Sequence, residues 1–122
     1  MLTPGPDHPI TLHPAGGRVV VTAGDVPVAD TDGAVVLQES NYPAVPYIPV
    51  ADVDPARLRV SEHTTHCPYK GDASYYDLVL PDGQVHANAV WTYRDPYPAV
   101  AAIAGLVAFY PDLVDMDMPG RP

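Results

Sequence analysis

The segment from His63 to Gly71, HTTHCPYKG, holds the chain's single cysteine, its single lysine and two of its five histidines within nine residues. Three chemistries could use such a cluster. A nucleophilic Cys67 would need a cation or base beside its sulfur to favour the thiolate. Neighbours in an extended chain point to opposite sides, so His66 is poorly placed for this and a partner would have to come from elsewhere, such as His86 or Glu39. A metal clip would draw on His63, His66, Cys67 and His86, but no second cysteine and no CxxC pair supplies the ligand spacing of a structural zinc site. Lys70 could hold an anionic or carbonyl group as a point charge, or be neutralised by Asp72 or Asp52. Its surroundings, PYKGDAS, lack the glycine pattern of a phosphate cradle. No metal and no cofactor are therefore expected, and Cys67, Lys70 and Glu39 stand as the candidate catalytic side chains.

Two looser groupings remain. Glu39 could share acid/base work with Asp52, Asp77 or Asp95, although no spacing rule brings any two of them together. Trp91, Tyr93, Tyr97, Phe109 and Tyr110 are enough rings for an aromatic cage, with Trp91 reading first as a core residue because its strand face is apolar.

The elements that must position these residues are strands. Sixteen prolines interrupt the helical patterns, while valine-rich runs and glycine turns recur at short spacing, which predicts an all-β body of seven to nine strands. A strand is expected over RVVVT, Arg18–Thr22. Asp32-Gly33 predicts a hairpin that sets Val28 against Leu37 and Val26 against Glu39. Asp82-Gly83 predicts a second, pairing Leu80 with Val85, Leu78 with Ala87 and Tyr76 with Ala89, with Trp91 and Ser74 on the same apolar face. The opposite face carries Tyr75, Asp77, His86, Asn88 and Thr92, and either meets water or lines a pocket.

Between the hairpins, the proline-rich stretch from Glu39 to Gly71 shows little periodicity and reads as a long loop packed by Tyr42, Tyr47 and Tyr69. Within it Asp54 should cap one helical turn that begins at Pro55. Pro98–Ile103 predicts a second short helical turn, and Leu106–Tyr110 a closing strand. These limits give a lead-in over 1–17, expected to be mobile at MLTPGPDHP, one domain over 18–114 and a tail over 115–122.

Composition narrows the partners. Fifteen acidic against six basic residues give a formal charge of -9, which argues against binding a phosphate backbone and so against nucleic acid. The longest mostly apolar run, Ala99–Tyr110, falls well short of the roughly 20 residues of a membrane span, so no membrane partner is expected. A lone cysteine excludes an internal disulfide, and Met1 is not followed by a secretory pattern, which together predict a reducing, cytoplasmic setting.

Read together, Glu39-Ser40 with Tyr42-Pro43, Tyr47-Ile48-Pro49 with Asp52-Val53, Thr65-x-Cys67-Pro68-Tyr69-Lys70-Gly71 with Tyr75-Tyr76, Trp91-Thr92-Tyr93 with Pro96, and Ala108-Phe109-Tyr110 resemble the domain of unknown function 427 family, which carries a nucleotidyltransferase-like label. The likeness runs from Arg18 to Tyr110, and nothing in its motifs explains a nucleotidyl transfer. It implies a β-tent of two antiparallel sheets with one or two short helical turns. Related β-tent proteins hold zinc through paired cysteines, and with one cysteine this chain does not carry that site over. The resemblance also implies a ligand cleft between the two sheets, lined here by Glu39, Tyr42, Cys67, Tyr69, Lys70 and Trp91. Basic residues common in the family near Val50, Ala104 and Leu106 are replaced by apolar surroundings. The expected function is thus small-molecule binding, against two alternatives: an enzyme of small metabolites using Cys67 or Lys70, and a protein-interaction or structural module.

Overall fold

The structure is a computed structural model that describes residues 1–119. Ten strands form in chain order: β1 (Ile10–Pro14), β2 (Val19–Ala23), β3 (Val26–Thr31), β4 (Val35–Glu39), β5 (Val45–Pro49), β6 (Leu58–Cys67), β7 (Gly71–Val79), β8 (Val85–Thr92), β9 (Leu106–Phe109) and β10 (Asp115–Asp117). They build two antiparallel sheets, one of seven strands ordered β1-β4-β5-β9-β8-β7-β6 and one of three ordered β10-β2-β3. Helical structure is confined to 3-10 turns at Val50–Asp52, Pro55–Arg57 and Pro98–Ile103. At the second of these the Asp54 carboxylate accepts the Ala56 N–H at 3.0 Å and Pro55 opens the turn, as the sequence predicts.

The strand count exceeds the expected seven to nine because strand β5 and much of the ten-residue β6 lie in the stretch that reads as loop. Periodicity failed there for a physical reason. Strand β6 is a sheet edge with most of its side chains in solvent on either face, so no apolar alternation is required of it. Strands β1 and β10 fall outside the 18–114 span expected for the body, and residues 120–122 of the expected tail lie outside the described residues. The lead-in is docked: Leu2 donates its N–H to the Pro68 carbonyl at 2.8 Å, and Gly5 and His8 form a small bridge.

Alternation along the central strands divides the apolar residues into two cores. Val19, Val21 and Val28 of the small sheet pack against Ile48, Leu78, Val90, Val107 and Phe109. The residues between them in sequence, Tyr47, Trp91 and Ala108, face the other side of the large sheet and pack with Leu37, Tyr75, Tyr93, Val100 and Ile103. The turn at Pro98–Ile103 buries Val100 and Ile103 to close this second core.

Both predicted hairpins are corrected. Strand β3 pairs with β2 through Gly24-Asp25, where Gly24 has φ +60, and not with β4. Asp32-Gly33 is instead a corner at which the chain leaves the small sheet for the large one. Thr31 holds it by accepting the Gly33 N–H at 3.0 Å and donating to Asp52 at 2.6 Å. Val28 and Leu37 therefore sit in different cores, and Glu39 lies opposite Ile10 of β1.

At the second hairpin β7 and β8 do pair, but in another register: Val79 with Val85, Leu78 with His86, Tyr76 with Val90 and Tyr75 with Trp91, with a shift between Tyr76 and Leu78. Asn88, at φ +56, donates its N–H to the Asp77 carboxylate at 2.9 Å and forms the bulge. Asparagine tolerates that left-handed backbone better than most residues. The faces are exchanged at the turn: Leu80 bonds to Gln84, leaving the three residues Pro81 to Gly83 in the loop where two were expected, so Trp91 leaves the company of Leu78 and Leu80 and joins Tyr75.

Candidate functional site

On a flat sheet β4 and β7, with three strands between them, would stand about 19 Å apart. Yet Glu39, the last residue of β4, is ion-paired with Lys70, the residue before β7. The seven-stranded sheet therefore curls until its β4-β5 part faces its β8-β7 part. A cavity of ≈ 230 Å³ lies in that fold. Its position corrects the expected cleft between two sheets: it belongs to the second core, on the face of the large sheet turned away from the small one.

The HTTHCPYKG segment is the end of β6, a turn, and the start of β7. Cys67 pairs with Gly71 across the turn Pro68-Tyr69-Lys70. Gly71 has φ +109, a conformation closed to most L residues, and the Lys70 carbonyl accepts the Tyr97 N–H at 3.0 Å. Together these aim Lys70 at the cavity, where its side chain is only 11% exposed and that of Glu39 15%.

Glu39 uses both oxygens. One accepts from the Lys70 ammonium, the other from His8 Nε2 at 2.7 Å. The His8 ring is stacked on Tyr69, with centroids 3.9 Å apart and an interplanar angle of 9°. Burial pushes the Glu39 carboxyl up, but the hydrogen bonds and charges of Lys70 and His8 together outweigh it, leaving Glu39 below its ordinary value. It is an ionised carboxylate at neutral pH, so the Nε2 of His8 that faces it carries the proton. This local neutralisation of Lys70 comes from Glu39, whereas Asp72 is taken by His66 at 2.7 Å and Asp52 by Thr31.

The remaining walls are aromatic. Tyr47, Tyr75, Trp91, Tyr93 and Tyr110 line the cavity, with the exposed Tyr42 at its mouth. Trp91 Nε1 donates to the Tyr47 hydroxyl at 3.1 Å, the two rings meet edge to face, and Tyr110 packs against Trp91 with centroids 4.7 Å apart. Tyr75 is fixed from outside by a 2.9 Å hydrogen bond with Thr65 and by the His63 ring at 4.7 Å. Burial pushes the Tyr47 phenol up to about 12 and raises Tyr93 and Tyr110 as well, so all three stay protonated donors at neutral pH.

Of the six ligand residues read from the sequence, Glu39, Tyr42, Lys70 and Trp91 line the cavity. Cys67 packs against the second core behind that lining, and Tyr69 stands outside it as the platform for His8. Trp91 is half-buried and not a fully enclosed core residue, because the register of β8 against β7 brings it to the cavity wall. Of the suggested cage, Trp91, Tyr93 and Tyr110 are present, while Phe109 points into the inter-sheet core and Tyr97 packs by Gly71 and His66. The polar face expected of the second hairpin is divided by the observed register, which pairs Leu78 with His86 and Ser74 with Thr92. Tyr75 lines the cavity, Asp77 is buried against Arg59 and the Asn88 N–H, and Thr92 donates to the Leu106 carbonyl.

Sequence reasoning missed His8, which lies 31 residues from Glu39 in the expected mobile lead-in, and gave Tyr47 no place at the site, while Tyr75 stood only in a face that either met water or lined a pocket. The suggested carboxylate pairs do not form, since Glu39 and Asp77 have separate cationic partners and Asp52 accepts from Thr31. Among the described residues no three His, Cys, Asp or Glu side chains gather as a metal site, and no helix is long and apolar enough to cross a membrane.

The fold and the site thus define an all-β protein with two antiparallel sheets and an aromatic, charge-paired cavity in the curl of the larger one. The chain belongs to the family described as a domain of unknown function, DUF427, whose pattern it matches over residues 11–120. A comparison with curated proteins gives no match.

Proposed function

We propose that this protein binds a small, flat, uncharged molecule in the cavity of the large sheet. The observation that carries this is the wall itself: six aromatic side chains and one ion pair surround an open space of ≈ 230 Å³. Drug-sized ligands occupy about 300–1,000 Å³, so this cavity suits one or two fused rings. Ring faces supply stacking, the protonated Tyr47 and Tyr93 supply neutral donors, and the Glu39–Lys70 pair supplies an adjacent acceptor and donor.

The expected role of Lys70 as an anion hook is weakened by Glu39, which already neutralises it. Chemistry through Cys67 finds less support than binding, because Cys67 lies behind the lining. The acidic balance of the chain and its unpaired thiol favour a cytoplasmic small-molecule binder over a nucleic-acid partner. Saturation-transfer NMR with a mixture of one- and two-ring heteroaromatics tests the proposal. Transfer to several rings that Trp91→Ala abolishes is the expected result, and no transfer to any ring, or transfer indifferent to Trp91, would end it.

A further inference from the structure

A second, larger space of ≈ 660 Å³ opens beside the aromatic cavity. Its side chains are mostly apolar, with Pro43, Val45, Phe109, Pro111, Met116 and Met118 among them, and among the described residues Asp115 is the one charged residue of the lining. Three residues, Pro43, Val45 and Trp91, line both spaces. Trp91 is thus the partition between a tyrosine-lined cavity with an ion pair at its end and a groove whose side chains, Asp115 apart, are apolar among the described residues. Trp91 is partly exposed and lines both spaces, so a molecule seated in the cavity can continue across the indole into the groove.

We infer that the natural ligand is amphipathic: a flat ring in the aromatic cavity carrying an uncharged, apolar chain that crosses Trp91 and lies in the Pro43–Met118 groove. The inference rests on the proposed binding of a flat ring and adds the chemistry of its substituent. Two features of the groove select a hydrocarbon chain. Methionines at two positions offer flexible, polarisable surface that adapts to an unbranched chain, and prolines at Pro43 and Pro111 present no N–H that such a chain would leave unsatisfied. Among the described residues a charged substituent would meet one charge there, that of Asp115.

Calorimetric titration with quinoline and its 4-n-alkyl series, methyl to hexyl, tests this on the full chain. Each methylene that enters the groove should tighten binding about fourfold until the groove is filled. Ala44 lines the groove, does not line the cavity and is exposed, so Ala44→Asp should leave the affinity for unsubstituted quinoline unchanged and flatten the chain-length series. Quinoline binding with no dependence on chain length would overturn this inference and leave the ring-binding proposal standing. An equally steep series in Ala44→Asp would also overturn it, by showing adsorption elsewhere. Absence of binding by quinoline and every derivative would remove both.

Discussion

Replacing Lys70 by methionine removes the cation and keeps the length and most of the apolar surface of the side chain. What it leaves is Glu39, 85% out of solvent by its side-chain exposure of 15%, with His8 as its remaining partner. Breaking a fully buried pair in this way costs about 3–5 kcal/mol. Here the orphaned carboxylate borders an open cavity where water can reach it, so about 2–3 kcal/mol is expected, near the value of one charge-assisted hydrogen bond plus partial desolvation. In urea, with a slope of about 1–3 kcal/mol/M for a domain of this size, the midpoint should fall by about 1–2 M with the slope unchanged. Glu39→Gln in the same background removes the stranded charge and should restore part of the loss, a coupling of about 1–2 kcal/mol in the double-mutant cycle. A Lys70→Met protein within about 0.5 kcal/mol of wild type, or strictly additive mutants, would show that the ion pair is not closed as described.

The carboxyl of Glu39 also sets an acid limit. Its folded value lies below the ordinary 4.5, so its stabilising contribution is present above pH 4.5 and is lost as pH falls through the folded value; the stability gap between wild type and Glu39→Gln should therefore close in that window. At the alkaline end the sign reverses, since burial raises Tyr47 to about 12: its contribution is whole below the ordinary 10 and fades as pH rises toward 12, so phenolate absorbance should show ionisation lagging until the protein unfolds. Phe109→Ala, from a side chain 1% exposed, should cost about 3–5 kcal/mol, whereas Trp91→Ala at the half-open cavity wall should cost about 2, and the ranking is readable by thermal unfolding. Asn88→Val should lose about 1–2 kcal/mol by forcing a β-branched residue to φ +56, with Asn88→Gly tolerated.

Local signals carried most of the fold. The proline density, the strand at Val19–Ala23, the Asp54 cap, the Pro98–Ile103 turn and the strand after Gly105 all depend on residues close in sequence, and each forms as read. What failed was pairing over distance. Asp32-Gly33 has the composition of a hairpin turn, but Gly24-Asp25 eight residues earlier already closes that pair, and only the whole sheet order shows which one wins. The Asp82-Gly83 turn holds three residues and not two, a one-residue difference that composition does not mark, and it decides which face holds Trp91. The site was legible in the same measure. Glu39, Lys70 and Trp91 were found through residue type and family resemblance, while His8 reached the site through tertiary docking that no spacing could reveal.

The indole N–H of Trp91, the chain's one tryptophan, donates to Tyr47 inside the cavity and gives a single side-chain resonance in a nitrogen–proton correlation spectrum. Titrating a two-ring heteroaromatic such as quinoline into the labelled protein reads the central claim directly. This resonance is expected to shift saturably, together with the backbone amides of Leu37, Glu39, Tyr47, Lys70 and Tyr93 around the cavity. An unmoved indole signal, with shifts absent or scattered over residues remote from the curl of the large sheet, would contradict it.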